Sequence, residues 1–193
     1  MNFRVLNKAL IILAGVILVS VSGCKKNNDT SQAYAGSKAA SFDKAVAIIH
    51  PLNGSNVKGI VYFIKGKDGI EVTADIEGLT PGKHGFHIHE YGDMRKDDGT
   101  SAGGHFNPEN KPHGSPDMNN RHVGDLGNII ATEGESVAHY MRTDTLITFT
   151  GKHSIIGRAV IIHQGEDDFK TQPTGNAGMR IGGGVIGIAN DNP

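Results

Sequence analysis

Cysteine is the first scarcity: of 193 residues only Cys24 carries a thiol. One thiol cannot close an internal disulfide, so a cross-linked scaffold of the kind common in exported domains is excluded. Tryptophan is absent and aromatics are 6% of the chain, while glycine occurs 27 times. That balance points to a loop-rich β architecture rather than a helical bundle, and no stretch keeps a helical period over ten residues. Charge of either sign is not in excess: the formal net charge is −1, which leaves no basic surface for nucleic acid. Long apolar runs are missing too. The longest, Ala9–Val19, is too short to cross a hydrocarbon core of about 30 Å as a helix.

That run fits a signal peptide instead. Arg4 and Lys8 give a positive start, Ala9–Val19 the apolar centre, and Val21-Ser22-Gly23-Cys24 resembles a bacterial lipobox. Residues 1–23 are therefore expected to be removed and Cys24 to be lipidated. Residues 24–42 are polar, small and without period, as in a flexible tether. The folded domain is expected over 43–193. Such a chain is an exported lipoprotein, held at a membrane by its lipid and facing the periplasm or the cell exterior. Lys25 stands where some bacteria place a retention aspartate, which favours the outer membrane.

From Ala45 onward, short apolar or alternating segments are separated by turn residues. They are 45–49, 59–64, 70–76, 85–89, 127–132, 136–140, 146–150, 159–163 and 185–189. This rhythm predicts an all-β, antiparallel sandwich or barrel. Residues 90–126 and 164–184 break it, being dense in Gly, Asp, Asn, His and Pro. Loops of that length are commonly functional, and a bound metal can order a loop that buries little apolar surface.

Histidine is in excess: there are ten, and all but His50 lie between 84 and 163. In a strand, residues two apart share a face, so His87 and His89 can reach one ion while Phe86 and Ile88 point into the core. His163 ends another strand signal and could add a third imidazole. Copper, zinc, iron or nickel all suit such a set, copper binding most tightly. In the first loop His105, His113, His122 and Asp125 make up a closed tetrahedral set of the type that holds structural zinc. A lone His-x-His is more often a polar edge than a ligand pair; seven ligand-type residues bracketing two loops argue for a metalloprotein. Spacing alone gives neither two metals nor a reaction.

The segments Gly85–Asp93 (GFHIHEYGD), Ser101–Pro108 (SAGGHFNP), Arg121–Asn128 (RHVGDLGN), Thr174–Arg180 (TGNAGMR) and Gly184–Ala189 (GVIGIA) resemble, in order, the copper/zinc superoxide dismutase family. The resemblance runs from about Lys44 to Ala189. It implies an eight-stranded Greek-key β-barrel with two long functional loops. It implies copper on His87, His89, His105 and His163, zinc on His105, His113, His122 and Asp125, one of each metal per subunit, and His105 shared. Asp167 would accept hydrogen bonds from His87 and His113, Arg180 would stand beside the copper, and Thr174 would narrow the channel opposite. The implied reaction turns two superoxide anions into dioxygen and hydrogen peroxide by copper redox cycling, with His105 passing on a proton. His84 would pack beneath the copper-side strand, while His50, His139 and His153 match no metal role.

One departure stands out. The family usually ties its first loop to the last strand by a disulfide, and the two positions are Gly99 and Gly183 here. Zinc binding and strand packing are then expected to hold residues 90–104, leaving them looser. The same segment often forms the family's dimer contact, so monomer and homodimer both stay open. The alternative to an enzyme is a non-catalytic copper/zinc carrier of the same fold, but carriers commonly lose a copper ligand or the arginine, and this chain keeps them all.

Overall fold

A computed structural model describes residues 42–190. The segments expected to be a signal peptide (1–23) and a lipidated tether (24–42) fall outside them, Phe42 excepted. Nine strands occur in the described residues: β1 (Lys44–Pro51), β2 (Lys58–Lys65), β3 (Ile70–Glu77), β4 (Gly82–His89), β5 (Asp125–Ala131), β6 (Val137–Asp144), β7 (Ala159–His163), β8 (Arg180–Val185) and β9 (Gly187–Ile188). Their order is β5-β4-β7-β8-β1-β2-β3-β6, with the two-residue β9 beside β1. Every pairing along this path is antiparallel. Its end strands, β5 and β6, meet and nearly close an eight-stranded barrel. The neighbours β3–β6 and β4–β7 are not consecutive in the chain; they are the crossovers of a Greek key.

Alternation builds the core. Ala45, Ala47 and Ile49 on β1, Val61 and Phe63 on β2, and Ile70, Val72, Ala74 and Ile76 on β3 are buried, with less buried residues between them. Strands β4 and β7 differ, being buried on both faces toward their ends. Phe86 and Ile88 fill the barrel, as the alternation requires, and the opposite face of β4 is covered by the two long loops. A sheet face covered in this way can hold polar side chains away from water, and here it holds His87 and His89.

Two strand boundaries depart from the sequence pattern. Residues 146–150 form no strand; they contribute only an isolated bridge, Thr148 to Ser154. The Asp144 carboxylate accepts the N–H groups of Leu146 and Ile147 at 2.8 and 3.1 Å, turning the chain while Ile147 and Phe149 still enter the core. Conversely, β8 begins at Arg180, inside the stretch expected to be a loop. Its Gly182-Gly183-Gly184 run carries no hydrophobic signal, yet it pairs with both β7 and β1.

A candidate binuclear metal centre

The barrel brings the seven sequence-selected ligands into two groups that meet at one residue. His87, His89, His105 and His163 form one, and His105, His113, His122 and Asp125 the other. Within each group the potential ligand atoms lie within 4.8 Å of one another, and all seven residues are buried. Register irregularities occur in β4 between Gly85 and His87 and in β7 between Ile162 and His163. A bulge re-aims the side chain that follows it, and both irregularities stand at a ligand. His105 joins the barrel through an isolated antiparallel bridge to His89.

The hydrogen bonds divide the rings of His87, His89, His113 and His163 into an outer and an inner nitrogen. On the outside, His89 Nδ1 faces the Gly103 carbonyl at 2.9 Å and His163 Nδ1 the Gly178 carbonyl at 3.0 Å. The two oxygens of Asp167 take His87 Nε2 and His113 Nε2, each at 2.8 Å. On the inside, His87 Nδ1 and His105 Nε2 are buried without a hydrogen-bond partner, while His113 Nδ1 and His122 Nδ1, which meet no well-aligned acceptor, lie 3.0 and 3.2 Å from Asp125 Oδ1. The Nε2 atoms of His89 and His163 face each other at 3.4 Å. Buried nitrogens of this kind are costly unless something satisfies them; converging imidazoles ask for metal ions. His105 turns Nδ1 to Asp125 Oδ1 at 2.8 Å and keeps Nε2 orphaned, so one ring serves both groups.

The charges fit the same reading. Burial, together with the nearby imidazoles, holds His87 and His89 well below the usual histidine range, and burial takes His163 to about 4. Neutral imidazole is the form that binds a metal. Burial opposes charge on Asp125 and Asp167, but hydrogen bonds from the histidines outweigh it and keep both carboxyls ionised. The loop group thus holds an ionised carboxylate, Asp125. Burial opposes charge on His113, but Asp125 together with Asp167 raises it to about 9, whereas the strand group has no charged member. That difference matches a closed divalent site beside an all-imidazole one.

Arg180 stands at the edge of the strand group. It pairs with His163 across β7 and β8, and its Nη2 donates at 2.6 Å to the Gly103 carbonyl that also accepts from His89. Its Nη1 donates to the Gly99 carbonyl. Thr174 is half-buried in the second loop, directly before Gly175, which packs against Asp167 and His113. At Gly99 and Gly183 there is no thiol, as the sequence requires. His84 is buried between the carbonyls of His163 and Thr80, at 3.0 and 2.9 Å. His50 is exposed, His139 pairs with Asp75 at 2.6 Å, and His153 bonds Leu146 and Glu109, so none of the three joins either group.

Several supporting residues were given no role from the sequence, although Arg121 and Asn128 delimit one of the family-like segments. The Asn128 amide brackets the backbone of Asp167, donating to its carbonyl at 3.0 Å and accepting its N–H at 2.8 Å. Gln172 does the same for His113, at 2.8 and 3.0 Å. Arg121 forms a buried ion pair with Asp144 at 2.5 Å and also donates to the His122 carbonyl at 2.9 Å.

A nearly closed antiparallel barrel with two buried ligand groups sharing one imidazole defines a binuclear metalloprotein. A family profile described as copper/zinc superoxide dismutase matches residues 57–186. A copper/zinc superoxide dismutase of Xenopus laevis is 48% identical over 152 residues, covering 75% of this chain and 97% of the relative. One from Paramecium bursaria Chlorella virus 1 is 42% identical over 190 residues, covering 95% of each. The crystal structure of the clock protein EA4 superimposes with a TM-score of 0.70 at 42% identity, covering 77% of this chain and 96% of that one. The chain belongs to the copper/zinc superoxide dismutase family.

Proposed function

We propose that the chain disproportionates superoxide at the strand group, with copper on His87, His89, His105 and His163, and with zinc on His105, His113, His122 and Asp125. The observation that carries the assignment is the set of orphaned inner nitrogens around the doubly used His105. Copper supplies one-electron chemistry between two oxidation states, while zinc supplies a fixed charge without redox activity.

The chain's own residues supply the rest. Arg180 offers a permanent positive charge to a small anion, and its guanidinium is already fixed by two carbonyl acceptors. His105 has two ring nitrogens in different settings, Nδ1 against Asp125 and Nε2 without a protein partner, so it can hold a proton on one while staying bound through the other. Asp167 orients one ring from each group with a single carboxylate. Thr174 is assigned to the channel wall opposite Arg180. The test loads the purified protein with both metals, then measures stoichiometry and superoxide consumption together. Two metals with activity support the reading; two metals without activity make the chain a carrier, and no bound metal overturns both.

The same reading includes export and anchoring: cleavage after Gly23, lipid on Cys24, and a tether that holds the domain at an outer membrane facing periplasm or exterior. The signal pattern supports it, and mass spectrometry of the Triton-extracted protein tests it, an unmodified Cys24 being the failing result. A homodimer is the assembly we assign. Ile48 and Val185, exposed on a groove of about 790 Å³, support it together with exposed Tyr91 beside Gly92, where an added methyl would stand 3.0 Å from Val185 Cγ1. Sedimentation of Ile48→Asp tests it: a dimer becomes a monomer, whereas a monomeric parent removes the assignment.

A further inference from the structure

The turn after β1 touches two segments that meet at Arg180. Asn53 takes a left-handed φ of 52° there. Leu52 N–H donates to the Ile181 carbonyl at 3.0 Å, Asn53 Nδ2 to the Arg180 carbonyl at 2.9 Å, and the Ser55 hydroxyl to the Ile181 carbonyl at 2.5 Å. These bonds hold the opening of β8. Asn53 N–H donates at 3.0 Å to the Asp97 carbonyl, so the same turn also holds the 90–104 loop.

The Leu52 side chain is wedged between these segments. A methyl placed on Gly99 would stand 2.8 Å from Leu52 Cδ1, and one on Gly183 would stand 3.0 Å from the same atom. The second methyl would also meet Met94 Cε at 2.6 Å. A side chain at either glycine would force Leu52 or Met94 to move, because their tips fill the space between loop and strand. Leu52 forms a small core there with Ala102, Ala159 and Ile161, and Met94 packs against it. Gly99 is the residue whose carbonyl accepts from Arg180 Nη1. The residue against which Leu52 packs is therefore one that aims the guanidinium.

We propose that Leu52 and Asn53 are positioning residues for Arg180. Leu52 fixes the loop carbonyl that holds its guanidinium, and Asn53 fixes its main chain. This rests on the reading of Arg180 as the cation that meets superoxide. Neither residue belongs to the metal groups, so a role confined to packing would alter stability and leave the rate per folded, metal-loaded molecule unchanged.

The experiment measures kcat/KM for superoxide, with metal content, in Leu52→Ala and Asn53→Gly of the fully metal-loaded protein. Each substitution is made with Arg180 present and in the Arg180→Ala background. Asn53→Gly keeps the left-handed conformation, which glycine adopts freely, and removes only the amide. With Arg180 present each substitution lowers kcat/KM about threefold, and in the Arg180→Ala background by less than about 1.5-fold, the non-additivity of residues that act through one another. Leu52→Met, which conserves volume, restores the rate. Equal losses in both backgrounds, or full rates in both single variants, overturn the proposal and leave the reading of Arg180 standing. An unchanged rate in Arg180→Ala alone removes that reading and the proposal with it. Should Leu52→Ala fail to fold, Asn53→Gly carries the same comparison.

Discussion

At the scale of single residues, the two candidate ligand groups were legible because six imidazoles and a carboxylate, at strand spacing and in a Gly-rich loop, have few other uses in such number. Their supports were less so. Asp167 lay in an acidic run that gives no hint which member turns inward, and the family pattern singled it out. Asn128 and Gln172 act on backbone groups of Asp167 and His113, contacts that depend on tertiary approach and leave no spacing to read. Asp167 bonds one ring in each group, so Asp167→Asn is expected to weaken zinc retention by about 10–100-fold, the usual cost of losing a ligand's orienting partner. Competition with a chromophoric chelator measures it, and unchanged zinc affinity would remove the linking role. For Arg180→Ala the expected loss in kcat/KM is about tenfold at low ionic strength, shrinking as salt screens the remaining field. Metal content should stay at the parent level, which stopped-flow superoxide decay and elemental analysis check together.

Among the elements, β4 followed from its pattern: Phe86 and Ile88 alternate with His87 and His89, and the two faces serve core and site. Ile88 is fully buried between the two histidines. Ile88→Ala should therefore destabilise the fold by about 2–5 kcal/mol. A urea titration reads this directly, and a change below about 1 kcal/mol would mean the strand is not anchored through this face. The glycine strand β8 was illegible for the opposite reason. A side chain on Gly184 would strike the Ile48 carbonyl at 2.1 Å, so close pairing with β1 demands residues that carry no pattern. The stretch 146–150 has an apolar pattern but a loop conformation, because Asp144 captures its amides before a strand can form. Asp144 also neutralises buried Arg121, beside the ligand His122. Asp144→Ala would strand that charge and cost about 3–5 kcal/mol, more than Ser or Thr replacements on the exposed faces.

For the molecule as a whole, what matters is how a barrel without a disulfide keeps its long loops in place. The sequence suggested zinc and strand packing for residues 90–104, with looseness as the result. The structure adds specific ties to that segment: Arg180 to Gly99 and Gly103, Asn53 to Asp97, and the Leu52 wedge against Gly99. The rest of the first loop is held differently. Residues 105–125 bury three imidazoles and one carboxylate against one another, with His105 Nε2 left without a protein partner, so their order is expected to depend on metal more than that of 93–103. Chelation should separate the two parts. In hydrogen exchange, residues 105–125 are expected to lose protection when zinc is removed, while 93–103 and the strands β1–β3 keep theirs. The melting temperature should fall in step with zinc occupancy, since a ligand that binds only the folded state stabilises it by mass action. Uniform loss across 90–126 would mean that zinc holds the whole loop and that the ties through Leu52 and Arg180 are secondary. Retained protection at 105–125 would mean that His105 Nε2 finds another partner in the metal-free protein.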